Sequence, residues 1–305
     1  MKKKFANVGG QAVMEGIMMR SPKKSVMAVR KPDGSIITED MKYTSIRDKI
    51  KFLKLPILRG IVAFIESMAV GYKSLTRSAE LSGLEEDTKG NKALEALVMV
   101  LAFILGIGIT IVLFIIFPVF SVTMITKLVD FGMFKTLFEG VIRVTIFILY
   151  IVAVSKMKDI RRLFEYHGAE HKTIFCFENG DELNVENVRK YSRLHPRCGT
   201  SFLFLTMIVG ILFFSFVTWS NPIIRVILKL ALMPLVAGVS FEIIQLTAKY
   251  DNKFTRIISA PGLALQKITT LEPDAGQIEV AITALKASLV KDDGEGLDIE
   301  AAYKK

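Results

Sequence analysis

Residues 96–126 read ALVMVLAFILGIGITIVLFIIFPVFSVTMIT, 31 positions without Asp, Glu, Lys, Arg or His. A bilayer core about 30 Å thick takes roughly 20 helical residues at about 1.5 Å each. A buried helix of a soluble protein seldom runs so far without a charge. The stretch therefore predicts a membrane span, which Pro118 ends or kinks.

Three further apolar blocks follow. Thr136 to Ser155 carries Glu139 and Arg143, an i,i+4 pair that can partly neutralise itself. Gly199 to Ile224 has 26 residues without a charge, and Trp219 with Asn221-Pro222 suits an interface and a tight turn. Ile223 to Leu246 holds Arg225 and Lys229 early and Glu242 late. The two early cations can snorkel at the outer turn. Composition agrees: 51% of residues are hydrophobic, yet 23% are charged, so the apolar residues are gathered into blocks.

The expected fold is mainly α, a polytopic bundle of about four spans with a small α+β cytosolic cap. The parts are residues 1–92, an N-terminal region with a β-hairpin and an interfacial helix; 93–155, spans one and two; 156–200, a His/Cys loop; 201–247, spans three and four; and 248–305, C-terminal helices and tail. Regions 1–92, 156–200 and 248–305 hold 18, 9 and 8 Lys plus Arg, 35 of the 40 in the chain. The positive-inside rule puts them, and both termini, in the cytosol. The opening Met1-Lys2-Lys3-Lys4 has no apolar core after it, which argues against a cleaved signal peptide. Leu55 to Val70 is apolar but broken by Arg59, Gly60 and Glu66. It reads as a helix in the interface or under the bundle, with a fifth span as the minority reading.

In the cap, residues 25–38 read strand, Pro-Asp-Gly turn, strand. Residues 172–178 read as another strand, joining a small sheet. Asn184 to Leu194 reads as a helix capped by Asn184, Pro261 to Thr270 and Asp274 to Val290 as two more, and Lys291–Lys305 as a frayed tail.

All three histidines and both cysteines fall within residues 167–198, 32 of 305 positions. These are the commonest zinc ligand types. His167-Gly168-Ala169-Glu170-His171 is an H-x-x-E-H string; if helical, it sets two imidazoles about 5–6 Å apart on one face. Glu170 then stands where it can activate a metal-bound water, while Gly168 counts against a regular helix. His195-Pro196-Arg197-Cys198 supplies a second pair just before span three. The candidate ligands are His167, His171, His195 and Cys198, with Glu170 as the catalytic carboxylate. Cys176, between Phe175 and Phe177, suits an apolar interior instead. The alternative, histidines that merely hydrogen-bond the loop to the bundle, stays open.

Glu242 is a candidate to face the histidines or to pair with a base such as Arg197, and Glu15 is either a site carboxylate or a turn residue. The glycine-rich Gly9–Gly16 lacks the Lys-Ser/Thr of a phosphate loop, so nucleotide binding is rejected. No specific nucleic-acid motif is present. Two cysteines on the cytosolic side imply a reduced state.

The strings GGQAVMEGIMMR (9–20), LPILRG (55–60), EYHGAEHKTIFCFE (165–178), HPRCGTSFLF (195–204), SFEIIQ (240–245) and APGLALQKITTLEP (260–273) closely resemble the YqhQ-like bacterial membrane proteins. That family is a domain of unknown function, often labelled a predicted metal-dependent enzyme. The resemblance implies a bacterial plasma-membrane location and a metal site involving His167, Glu170, His171, His195 and Cys198.

Two functions are expected to compete. One is a metal-dependent hydrolase at the membrane surface, with zinc on three protein ligands and an open position. The other is a non-catalytic assembly or translocation-associated factor, whose basic cytosolic cap binds a membrane protein or the ribosome. A transporter is weaker, since no inverted repeat is visible. The bilayer is a partner in every case, and the basic region favours its anionic headgroups.

Overall fold

A computed structural model describes residues 8–41, 45–83, 92–128, 132–217, 221–250, 252–290 and 297. Trp219, the Lys2–Lys4 opening and nearly all of the tail 291–305 lie outside these residues.

The chain is mainly helical, with one small antiparallel sheet near its start. Strands β1 (Gly9–Val13), β2 (Gly16–Arg20), β3 (Ser25–Arg30) and β4 (Ile36–Asp40) form a meander in sequence order. The expected hairpin is β3–β4. The glycine-rich stretch before it is also strand, turning at Met14-Glu15 between Val13 and Gly16. Glu15 adopts φ 49°, a left-handed conformation costly for a side chain with a Cβ. Its carboxylate accepts from Arg162 Nη2 at 2.6 Å and from the Tyr166 hydroxyl at 3.2 Å. The Met14 N–H donates to Ser78 Oγ at 3.0 Å. Neighbouring helices thus hold the turn.

After a short helix α1 (Ile46–Lys49), helix α2 runs Leu58–Leu81. It lies against α9 (Pro222–Lys249) at a glycine crossing. A Cβ on Gly60 would come 2.8 Å from the Gly238 carbonyl oxygen. Arg59 Nε donates to Glu242 at 2.7 Å, so Glu242 serves this crossing. It meets neither the histidines nor Arg197, whose guanidinium pairs with Glu178.

Among the described residues, three helical stretches are long and apolar enough to cross a membrane: Leu97–Ile125, Lys135–Val154 and Pro222–Thr247. The first comprises α3 (Lys92–Ile111), a π-turn at Val112–Ile116 and α4 (Phe117–Ile125). Pro118 therefore neither ends the helix nor stands alone; the distortion sits in the turn before it. The second is α5 (Lys135–Val154) and the third is most of α9. The expected third span is a shorter apolar helix, α8 (Gly199–Ser215), ending well before Ile224.

The expected strand at 172–178 is a helix. It belongs to α6 (Lys158–Asn179), which stops at Gly180 in the left-handed conformation, φ 77°. The alternating Lys-Thr-Ile-Phe-Cys-Phe-Glu pattern misleads because α6 is covered nearly all round from Tyr166 to Phe177. With no polar face, period 2 and period 3.6 cannot be told apart. The small sheet therefore takes nothing from this segment.

Beyond α6 come α7 (Val185–Arg189), capped by Asn184, α10 (Lys253–Thr269) and α11 (Ala275–Leu289). The sheet is covered on both faces. Ile17, Met19 and Ala28 pack with Tyr166 of α6 and with Ile278 and Leu285 of α11. Met18, Met27 and Val29 pack on the other side against Val70 and Leu81 of α2. The cap thus joins residues from both ends of the chain. Ser21 Oγ donates to the Ser288 carbonyl at 2.7 Å.

Candidate metal centre

The site is built on the middle of α6. Residues 167 and 171 stand one turn apart on one face, with ring centroids 4.4 Å apart. Gly168 does not break the helix; it lets a backbone pass. A Cβ there would lie 1.9 Å from the Leu271 carbonyl oxygen, so the α10–α11 linker runs directly over α6. The Leu271 N–H donates to Phe164 O at 2.9 Å and fixes this crossing.

That linker and the loop before α8 orient both imidazoles. His167 Nδ1 lies 2.9 Å from Thr269 O, and His171 Nδ1 lies 2.6 Å from Arg193 O. A carbonyl oxygen only accepts, so each Nδ1 carries the proton and donates. In the neutral ring this tautomer leaves the Nε2 lone pair bare, the state a metal ligand needs. Cys198 brings the third donor. It is the N-cap of α8, and its sulfur accepts from the Thr200 N–H at 3.5 Å. Sγ lies 3.1 Å from His167 Nε2. Donor atoms of His167, His171 and Cys198 all lie within 4.8 Å of one another.

His195 stands beside this group but faces another way. Its ring centroid is 5.5 Å from that of His171. The Arg197 N–H donates to its Nδ1 at 3.3 Å, which assigns the proton to Nε2, 3.7 Å from Glu178. This is the opposite tautomer to the other two histidines. Burial also pushes the His195 imidazolium below its ordinary range, favouring the neutral ring. Gln266 clamps its backbone, accepting from the His195 N–H and donating to its carbonyl, both at 2.8 Å. His195 therefore orders the loop that presents Cys198.

Glu170 is buried, 6% exposed, with Oε2 4.0 Å from His167 Nε2. Burial pushes its carboxyl above the usual carboxylate range, against the pull of His167 and of the Gly10 N–H. Gly10 belongs to this site, which no phosphate-loop comparison reveals. A Cβ there would come 2.7 Å from Glu170 Cγ. Cys176 lies in the interior with Ile174 and Phe177, and burial pushes its thiol up to about 11. Glu15 pairs with Arg162 and takes no part.

A cleft of about 630 Å³ opens between the sheet, α2 and α9. Gly10 and Arg197 line it, so its wall adjoins the backbone that touches Glu170 and the residue before Cys198. Met18, Val70 and Phe241 give it an apolar side.

The profile of the family described as "Protein of unknown function (DUF1385)" matches residues 55–291. A curated protein printed as "Uncharacterized protein YqhQ", from Bacillus subtilis (strain 168), is 37% identical over 297 residues, 92% of each chain. No solved structure matches at a significant level. The matched region holds all three histidines, Glu170 and both cysteines, and the chain belongs to the DUF1385 family, that of the YqhQ-like proteins.

Proposed function

We propose that this protein is a multi-pass protein of the bacterial plasma membrane, with both termini and the cap in the cytosol, and that it hydrolyses a substrate at the membrane surface with the help of zinc. The single observation behind the zinc reading is the convergence of donor atoms of His167, His171 and Cys198, with each histidine's Nδ1 held by a backbone carbonyl. Zinc bonds of about 2.0–2.3 Å place tetrahedral donors about 3.3–3.6 Å apart. Donors within 4.8 Å of one another reach that with small side-chain rotations. His195, with Nε2 protonated, drops out of the ligand set and leaves three donors.

A bound zinc supplies Lewis acidity at that point. Glu170, lifted in pKa and beside His167, takes the proton of an attacking water and returns it to the leaving group. The cleft next to Gly10 gives a substrate its approach, with Arg197 at the rim for a polar group and Phe241 and Val70 for an apolar one. The burial of Glu170, His171 and Cys198 favours a second reading, a closed zinc site that only stabilises the cap and serves assembly.

Metal content of the purified chain separates these. We expect zinc in wild type, its loss in His171→Ala and its retention in Glu170→Gln. Absence of metal from wild type sinks both metal readings. Full complementation of a deletion strain by Glu170→Gln rejects the catalytic role and favours the structural one.

A further inference from the structure

A second buried polar group lies at the far end of α8 from Cys198, roughly 24 Å away along the helix axis. Glu139 and Arg143 come from the first turns of α5, Arg225 and Lys229 from the first turns of α9. They are 1%, 7%, 4% and 0% exposed. Glu139 and Arg143 make no contact ion pair, though their charges still attract. Glu139 instead pairs with Lys229 and, at 3.3 Å, with Arg225 Nη2. Neither cation snorkels.

Arg143 turns to the backbone. Pro118 has no N–H to offer Phe114 O four residues back, and Arg143 Nε donates to that oxygen at 2.6 Å. Arg225 Nη2 donates to Thr123 Oγ1 at 2.8 Å. The Phe214 ring faces Arg143 at 5.1 Å and Lys229 at 5.6 Å, which softens the charge.

The balance does not close. One carboxylate faces three cations in helices that are otherwise apolar. Two donor nitrogens, Arg143 Nη2 and Arg225 Nε, are buried with no hydrogen-bond partner. Buried charge is stable when paired and hydrogen-bonded, and unpaired cations at this depth are expensive. Donors from two helices that are rigid, charged and partly idle suit a group with several acceptor oxygens. Arg225 is one turn from the start of α9, so the group lies near the helix ends, within reach of headgroup depth.

We propose that Arg143, Arg225 and Lys229 form a binding site for a phosphoryl oxyanion, reached by rotation of the two arginine side chains. The oxyanion belongs either to a phospholipid headgroup or to free phosphate. The site is separate from the His/Cys centre and stands whether or not that centre holds zinc.

The test uses the full chain in nanodiscs of phosphatidylcholine, with and without phosphatidylglycerol, and separately with inorganic phosphate added. The readout is the thermal midpoint as a function of the added anion. Wild type is expected to gain stability with one of the two. Arg143→Met should weaken the apparent affinity on the order of tenfold, the cost of one charge-assisted contact. Glu139→Gln, which removes the competing carboxylate, should tighten it. If Arg143→Met does not fold, Arg143→Lys, which keeps the charge and loses the fork, is expected to fall between wild type and no response. A response to phosphatidylglycerol alone identifies a lipid headgroup; a response to phosphate alone identifies a soluble anion. No response of wild type to either overturns the proposal. So does an undiminished response in both Arg143 variants.

Discussion

Gly168→Ala is the substitution for which two simple arguments give opposite signs. By helix propensity alone, alanine in the middle of α6 should stabilise by about 1 kcal/mol. The geometry says otherwise. The new methyl would sit 1.9 Å from Leu271 O and 3.1 Å from its carbonyl carbon, both backbone atoms that no rotamer change can move. Ordinary contact needs a further 1.5 Å or so. Overpacking of this kind costs about 2 kcal/mol. Displacing the linker also stretches the Leu271 N–H to Phe164 O bond, for about 1 kcal/mol more. After the propensity gain, the net loss is about 2 kcal/mol, or a midpoint roughly 3 °C lower. The same linker carries Thr269 O, which orients His167, so zinc affinity should fall about 10- to 100-fold. Thermal unfolding of the purified chain, with zinc titration of the same samples, measures both. A neutral or stabilised Gly168→Ala would refute the close crossing and the orienting role built on it.

Gly60→Val drives a branched side chain into Gly238 O and Phe241 Cβ, both 2.8 Å from the would-be Cβ, and should separate α2 from α9 at a cost of about 1–3 kcal/mol, seen as a lower midpoint and yield. Asp274→Ala removes the capping box of α11, in which Asp274 accepts from the Gln277 N–H at 2.7 Å, and should cost about 1 kcal/mol in the same assay. Cys176, fully buried with its thiol pushed up to about 11, should resist alkylation at about pH 8 until the protein is unfolded, as followed by mass spectrometry. Its folded value lies above its unfolded one, so the stability tied to the neutral thiol is complete below 9.0 and is lost as pH rises towards 11. Cys176→Ala should flatten that part of the stability profile; an unchanged slope would place the cause elsewhere.

Residues 96–126 declare themselves because length and the absence of charge are local properties. The Pro-Asp-Gly turn and the cap Asn184 are legible for the same reason. What was hidden depends on distant partners. The strand character of Gly9–Arg20 is obscured because the sheet is covered on both faces and Glu15 holds a turn position that glycine or asparagine usually takes. Glu139 and Arg143 look like a helix pair until α9 brings Lys229. Ligand types and spacing single out His167, His171, His195 and Cys198 together. That His195 is turned differently from the other two histidines is not legible, since it rests on one backbone N–H donated to its Nδ1.

The cap has a consequence for timing during synthesis. The first strands leave the ribosome early, but α11, which covers one of their faces, is made some 250 residues later. In between come the long apolar helices. Until α11 is made, the face that carries Ile17 and Met19 is covered by α6 alone. Thr269 O, the oxygen that sets the tautomer of His167, arrives in the same late stretch. The stretch that orients His167 therefore completes the His/Cys cluster last, and a molecule truncated before α10 should lack the oxygen that holds His167 Nδ1.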